Sequence, residues 1–288
     1  MAIDTRLGTF QEISLAQGIV RYQDIGTGPT LVFLHGIFVN SALWRRVIPL
    51  LSERFRCIAP DLPLGAHRLP LRPDADLSPR GVADLVADLL AALDLHDVTL
   101  VGNDTGGAIC QLVITHHPER ITRLVLTNCD AFEAFFPPLV RPFHDGARLF
   151  GIHFTNFLAW VFRTRFAQRL LVVTVSRHRL DTTMLDTYFA PLLHNAGVRR
   201  DLTQFLRTVS NHYTLEAART FAQFHHPVLL IWGNNDIFFS SRLARRLQQA
   251  FPHASLEFVS RSRAFVPEDQ PEFLAQRIVE FVNEPVYS

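Results

Sequence analysis

The chain has 288 residues, 48% of them hydrophobic, enough for a large core in one or two α/β domains. Its 28 basic and 27 acidic residues nearly cancel, so net charge marks it for neither nucleic acid nor an anionic membrane. The opening "MAIDTRLGTF" lacks a basic region followed by an apolar run, so no signal peptide is expected. Cys57, Cys110 and Cys129 show no paired or metal-binding spacing, which fits a reducing cytoplasm. No metal or organic cofactor is expected, and the composition leaves the oligomeric state open.

In chain order, runs near 9–15 and 18–24 predict an amino-terminal hairpin. Strands are then predicted at 30–36, 56–63, 98–104, 121–130, 227–236 and 255–260, with helices near 41–53, 79–94, 106–118, 241–251 and 268–283. This alternation predicts an α/β fold, a mostly parallel sheet with helices on both faces. It breaks over 131–212, a Phe- and Arg-rich stretch of helical pattern that reads as a cap inserted into a core formed by 1–130 and 213–288. Most of the cap's aromatics are expected to form its own core. Within it, 149–162 is apolar but too short to span a bilayer and is followed by Arg163 and Arg165. It reads as a buried or cleft-lining helix, with an interfacial contact left open.

The strand at 98–104 runs into "VGNDTGG" and then directly into a helix. So sharp a turn leaves no room for side chains at Gly102 and Gly106, and it lifts Asp104 above the sheet near a positive helix end. The spacing is neither that of a phosphate loop nor that of a dinucleotide fingerprint. Asn103, just before it, is a candidate to supply an amide to the pocket.

"FLHGIFVNSALWRRVIPLL" (33–51), "CIAPDLPLG" (57–65), "HHPERITRLVLTN" (116–128) and "PVLLIWGNND" (227–236) surround this turn in order. Together they resemble the α/β-hydrolase family, in particular its branch with aspartate nucleophiles, the haloalkane dehalogenases and epoxide hydrolases. The resemblance implies an α/β-hydrolase fold with Asp104 as nucleophile. The backbone N–H groups of Ile37 and Thr105 would form the oxyanion hole, and Asp236 would be the acid that orients a histidine. His35 and Gly36 would shape the loop before Ile37 and Phe38, with His35 structural. Asp130 stands where some relatives place an alternative acid.

The family's histidine precedes the last helix, but in "VSRSRAFVPEDQPEF" (259–273) its position holds Ala264, followed by Phe265. His253 lies before the strand, at the expected far end of the sheet. An aspartate is already an anion at neutral pH, so Asp104 can attack without help; what is lost is the base that activates water, worth ~10²–10⁴-fold. Replacement bases would come from the cap: His144, His153, His178, His194 or His212. Arg261 or Arg263 is expected to pair with Asp236. The leading expectation is a hydrolase acting on a small apolar organic substrate, with an impaired hydrolytic half. The alternatives are a cofactor-free non-hydrolytic enzyme and a ligand-binding protein on a retired scaffold.

Halide binding has little support, since Thr105 and Ile37 occupy positions where dehalogenases place donors; Trp160 is the remaining donor. Epoxide hydrolases use two cap tyrosines, and here Tyr188 and Tyr213 read as packing residues.

Overall fold

Strands whose two faces are both covered need apolar side chains on both, and this explains the continuous runs seen in the sequence. In the computed structural model, which describes residues 9–284, eight strands form a single sheet. They are β1 (Phe10–Leu15), β2 (Gly18–Ile25), β3 (Thr30–Leu34), β4 (Arg56–Pro60), β5 (Val98–Asp104), β6 (Ile121–Cys129), β7 (Val228–Gly233) and β8 (Ala254–Val259). Their order across the sheet is β1-β2-β4-β3-β5-β6-β7-β8. β1–β2 and β2–β4 are antiparallel, and every other neighbouring pair is parallel. β5 and β7 are buried along their whole lengths, whereas β1 at the edge alternates with solvent.

Twelve helices occur among the described residues. The core carries α1 (Ile48–Leu51), α2 (Pro79–Ala92) and α3 (Thr105–His116). Between β6 and β7 come first α4 (Arg141–Phe150), α5 (Ile152–Val161), α6 (Arg165–Val175), α7 (Thr182–His194) and α8 (Ala196–Thr208), and α9 (Asn211–Ala218) follows them before β7. The last are α10 (Ser241–Ala250), α11 (Val266–Asp269) and α12 (Pro271–Asn283). Two predicted helices are broken. The 41–53 pattern divides into a 3₁₀ turn, Ser41–Trp44, and the single turn α1, with Pro49 in the first turn of α1. The 268–283 pattern divides at Pro271, which lacks an N–H and holds Gln270 outside the helical region (φ −142°, ψ 55°).

The helical insertion is fastened to the loop after β8. Asp269 Oδ1 accepts hydrogen bonds from Ser176 Oγ (2.8 Å), Arg177 N (2.8 Å) and His178 N (2.9 Å), while its Oδ2 accepts from Arg263 N (2.9 Å). Phe265 N adds a bond to Val175 O at 2.8 Å. No helix among the described residues is long and apolar enough to cross a membrane.

Candidate active site

β5 ends on Asp104 and α3 begins at Thr105, with no intervening loop. Asp104 therefore takes φ 56°, ψ −131°, a conformation that costs an L-residue on the order of 1–3 kcal/mol. The glycines around it make the turn physically possible. A Cβ on Gly102 would lie 2.6 Å from Cys110 Sγ, and one on Gly106 would lie 2.3 Å from Leu34 O. Strand and helix are thus pressed together, and the Asp104 carboxylate stands at the amino-terminal end of α3. Its Oδ1 accepts a 2.6 Å hydrogen bond from Thr105 N.

The loop after β3 closes on the same side chain. A Cβ on Gly36 would sit 2.5 Å from Asp104 Cβ and 2.7 Å from its Oδ2, so only glycine lets this backbone approach. His35 is fully buried and accepts from Leu62 N through Nε2 (2.8 Å), which leaves Nδ1–H to donate to Gly36 O (2.8 Å). Burial lowers its pKa to about 4, so it is neutral and braces the loop. Phe38 holds φ 61° and donates its N–H to Leu64 O (3.0 Å), and Ile37 and Phe38 both face the cavity with Asp104.

Asp236 lies beyond β7, but the expected arginine does not pair with it. Among the described residues no arginine side chain comes within 4.0 Å of it, and Arg263 instead gives its backbone N–H to Asp269. Two nearer donors already satisfy the carboxylate: Asn128 Nδ2 at 2.7 Å on Oδ2 and Phe238 N at 2.7 Å on Oδ1. Asn128 also accepts from Gly233 N (2.6 Å), which clamps the end of β6 to that of β7. Sequence reasoning passed over this residue. Its signal was an amide in the fully buried second half of a strand, where Thr127 is the other polar side chain.

Asp130, just past β6, completes a group of three carboxyls. Thr105 Oγ1 lies 3.3 Å from Asp104 Oδ1 and 3.2 Å from Asp130 Oδ2. One hydroxyl has one proton to donate, so two ionised carboxylates cannot both receive it; a proton held on one carboxyl satisfies both contacts. Burial first, and the charge of Asp236 after it, raise Asp104 to about 7, and burial raises Asp236 to about 6. Burial, and then the charge of Asp104, push Asp130 well above the usual carboxylate range. Its Oδ1 is buried with no partner.

Asp104 and Asp130 form the floor of a cavity of about 60 Å³ whose other walls are apolar, among them Phe143, Val172, Phe189 and Phe265. Tyr188 lines it too, but its hydroxyl donates to Glu268 Oε1 (3.3 Å), itself paired with Arg45. Tyr213 packs beside His212 and does not line the cavity. Several expected residues lie elsewhere. Asn103 does not face the pocket: neighbouring side chains on a strand point to opposite faces, and its Nδ2 donates to Thr127 Oγ1 and Ala264 O, both at 2.8 Å. Ala264, fully buried, is held by that bond beside the cavity residue Phe265. Trp160 is 62% exposed and stacks on Phe157 on the outer side of α5, so its N–H is not available to the cavity.

Among the described residues no histidine lines the cavity. His144 Nδ1 bonds Leu206 O, His212 pairs with Glu216 at the surface, and His153 and His194 are exposed. His178 belongs to a separate surface groove. The carbonyl of His253 accepts from Val228 N, which puts it at the opposite end of β7 from Asp236.

Comparison with known proteins agrees with this fold. Residues 29–271 match the family model described as alpha/beta hydrolase fold. The chain is similar to the uncharacterized hydrolase YugF of Bacillus subtilis, 27% identical over 266 residues that cover 91% of this chain and 92% of the relative. It is likewise similar to haloalkane dehalogenase 2 of Mycobacterium tuberculosis, 27% identical over 273 residues, 92% of each chain. Among solved structures, an alpha/beta hydrolase fold protein from Burkholderia ambifaria superposes with a TM-score of 0.82 at 24% identity, covering 95% of this chain and 97% of that one.

Proposed function

Since the chain belongs to the alpha/beta hydrolase fold family, we propose that it is an enzyme whose Asp104 attacks an electrophilic carbon of a small apolar substrate. The observation that carries this reading is a carboxylate raised on a strained turn at the floor of an apolar cavity. Asp104 Oδ2 forms the new C–O bond as the bond from carbon to the leaving atom breaks, and the electron pair departs with that atom. Oδ1 becomes the carbonyl oxygen of the resulting ester, held by Thr105 N–H.

The cavity's chemistry favours a leaving atom that accepts a proton. Among the described residues its only polar side chains are Asp104, Asp130 and the already engaged Tyr188, so a departing halide meets no amide or indole donor there. A strained ring oxygen would instead take the proton of Asp130, and an epoxide is therefore the favoured substrate class. The dehalogenation named for the Mycobacterium relative stands second.

The second half of the reaction lacks its base. Ala264 stands where the family's histidine is expected, and among the described residues no histidine shares the cavity with Asp104. General-base help is worth ~10²–10⁴-fold, so the ester accumulates. Intact-protein mass spectrometry after incubation with terminal epoxides and 1-haloalkanes tests this. A stable adduct of epoxide mass is expected in the parent chain and absent from Asp104→Asn, with turnover gained by Ala264→His. Labelling that persists in Asp104→Asn would overturn the nucleophile. One carboxyl holding a proton next to one that has lost it also suits proton transfer within a substrate; isomerised product without any adduct would select that second reading.

A further inference from the structure

A near-zero net charge excludes a strong surface field only when the two signs are mixed evenly along the chain, and here they are not. Residues 146–180 contain no Asp or Glu and six arginines: Arg148, Arg163, Arg165, Arg169, Arg177 and Arg179. Among the described residues only Arg165 of these has a carboxylate within 4.0 Å of its guanidinium group, Asp186 at 2.7 Å. The same stretch holds eight of the twelve large apolar side chains exposed among the described residues, including Leu149, Phe150, Trp160 and Phe166.

The arrangement follows from two helices. On α6, Phe166, Leu170 and Val173 recur at i, i+4 and i+7, so they share one face. They line a groove of about 540 Å³ together with Arg169, Arg177 and Arg179. Across the short link 162–164, α5 presents the stacked pair Phe157 and Trp160, 5.9 Å between ring centroids. α6 is apolar on its inner side as well, where Leu171, Val172 and Val175 line the cavity over Asp104. An outward apolar row is thus not needed for the helix's own packing.

We propose that this face of the helical insertion docks on an anionic phospholipid surface. Exposed aromatic and aliphatic tips enter the boundary between headgroups and acyl chains, while the unpaired guanidinium groups meet lipid phosphates. A second copy of the chain is a poor occupant: a two-fold contact would set the same acid-free arginines against each other.

Trp44 and Trp232 are fully buried, so a blue shift of tryptophan emission on adding vesicles would report Trp160. The full chain is to be titrated with phosphatidylcholine vesicles and with vesicles carrying about 30% phosphatidylglycerol, with flotation and light scattering in parallel. The expected result is a blue shift and co-flotation with the anionic vesicles, at least about tenfold tighter than with neutral ones and weakened by high salt. Both signals are expected to fall in Phe166→Ser/Leu170→Ser and in Arg169→Gln/Arg177→Gln, whose circular dichroism should match the parent. Equal binding to neutral vesicles, no binding, or a concentration-dependent dimer that alone shifts Trp160 would each overturn the proposal.

Discussion

Asp104 joins a strained backbone to a carboxylate that burial raises to about 7, and both features set the nucleophile of the proposed reaction against the stability of the fold. An unfolded aspartate titrates near ~3.9, so between that pH and about 7 the folded chain holds a proton that the unfolded chain has lost. Stability from this group is therefore full in acid, declines as pH rises through that window, and is level above it. Asp104→Asn removes the buried charge and should be more stable than the parent by about 2–4 kcal/mol at pH 8, with the gain vanishing near pH 4. Urea melts of both proteins at the two pH values check this. The same ionisation governs attack: adduct formation should rise about tenfold per pH unit below 7 and flatten above it, because only the anion is a nucleophile. A pH-independent rate would point to a different group.

At the scale of elements, the strands were legible because the burial that forms them demands unbroken apolar runs, as in β5 and β7. The elbow was legible because its glycines are required by contacts a few residues away, Gly102 against Cys110 among them. Helices broken by Pro49 and Pro271 were read too long, since a periodic apolar pattern does not register where the backbone is interrupted. What the sequence could not show was pairing over distance. Asp236 is matched to Asn128, 108 residues earlier, rather than to the arginines of the neighbouring loop. Asn128 is fully buried and holds Gly233 N as well as Asp236, so Asn128→Ala would strand a buried N–H and strip a donor from a carboxylate. The cost should be about 2–3 kcal/mol, read as a fall in the urea midpoint at unchanged slope. Loss of that donor would also raise Asp236 further above about 6, so the deficit should be larger at pH 8 than at pH 5.

Across the whole molecule, the insertion and the sheet meet through a small set of polar ties, and these control the roof of the cavity. Asp269 gathers four donors, three of them from the chain just after α6, while Tyr188 of α7 reaches the buried Glu268–Arg45 pair. The inner face of α6 supplies Leu171, Val172 and Val175 to the cavity, so its position sets access to Asp104. Hydrogen bonds to a charged acceptor contribute more than neutral ones, and Asp269→Ala removes several together; the expected cost is about 2–4 kcal/mol. Much of that loss should appear as local opening, because the sheet itself keeps all its ladders. Hydrogen exchange should then quicken across 170–180 and stay slow in β5. Adduct formation on Asp104 should accelerate, since the roof opens more often while the carboxylate and its turn are untouched. Uniform destabilisation, with exchange in β5 rising in step with α6, would show instead that the insertion and the sheet unfold as one unit.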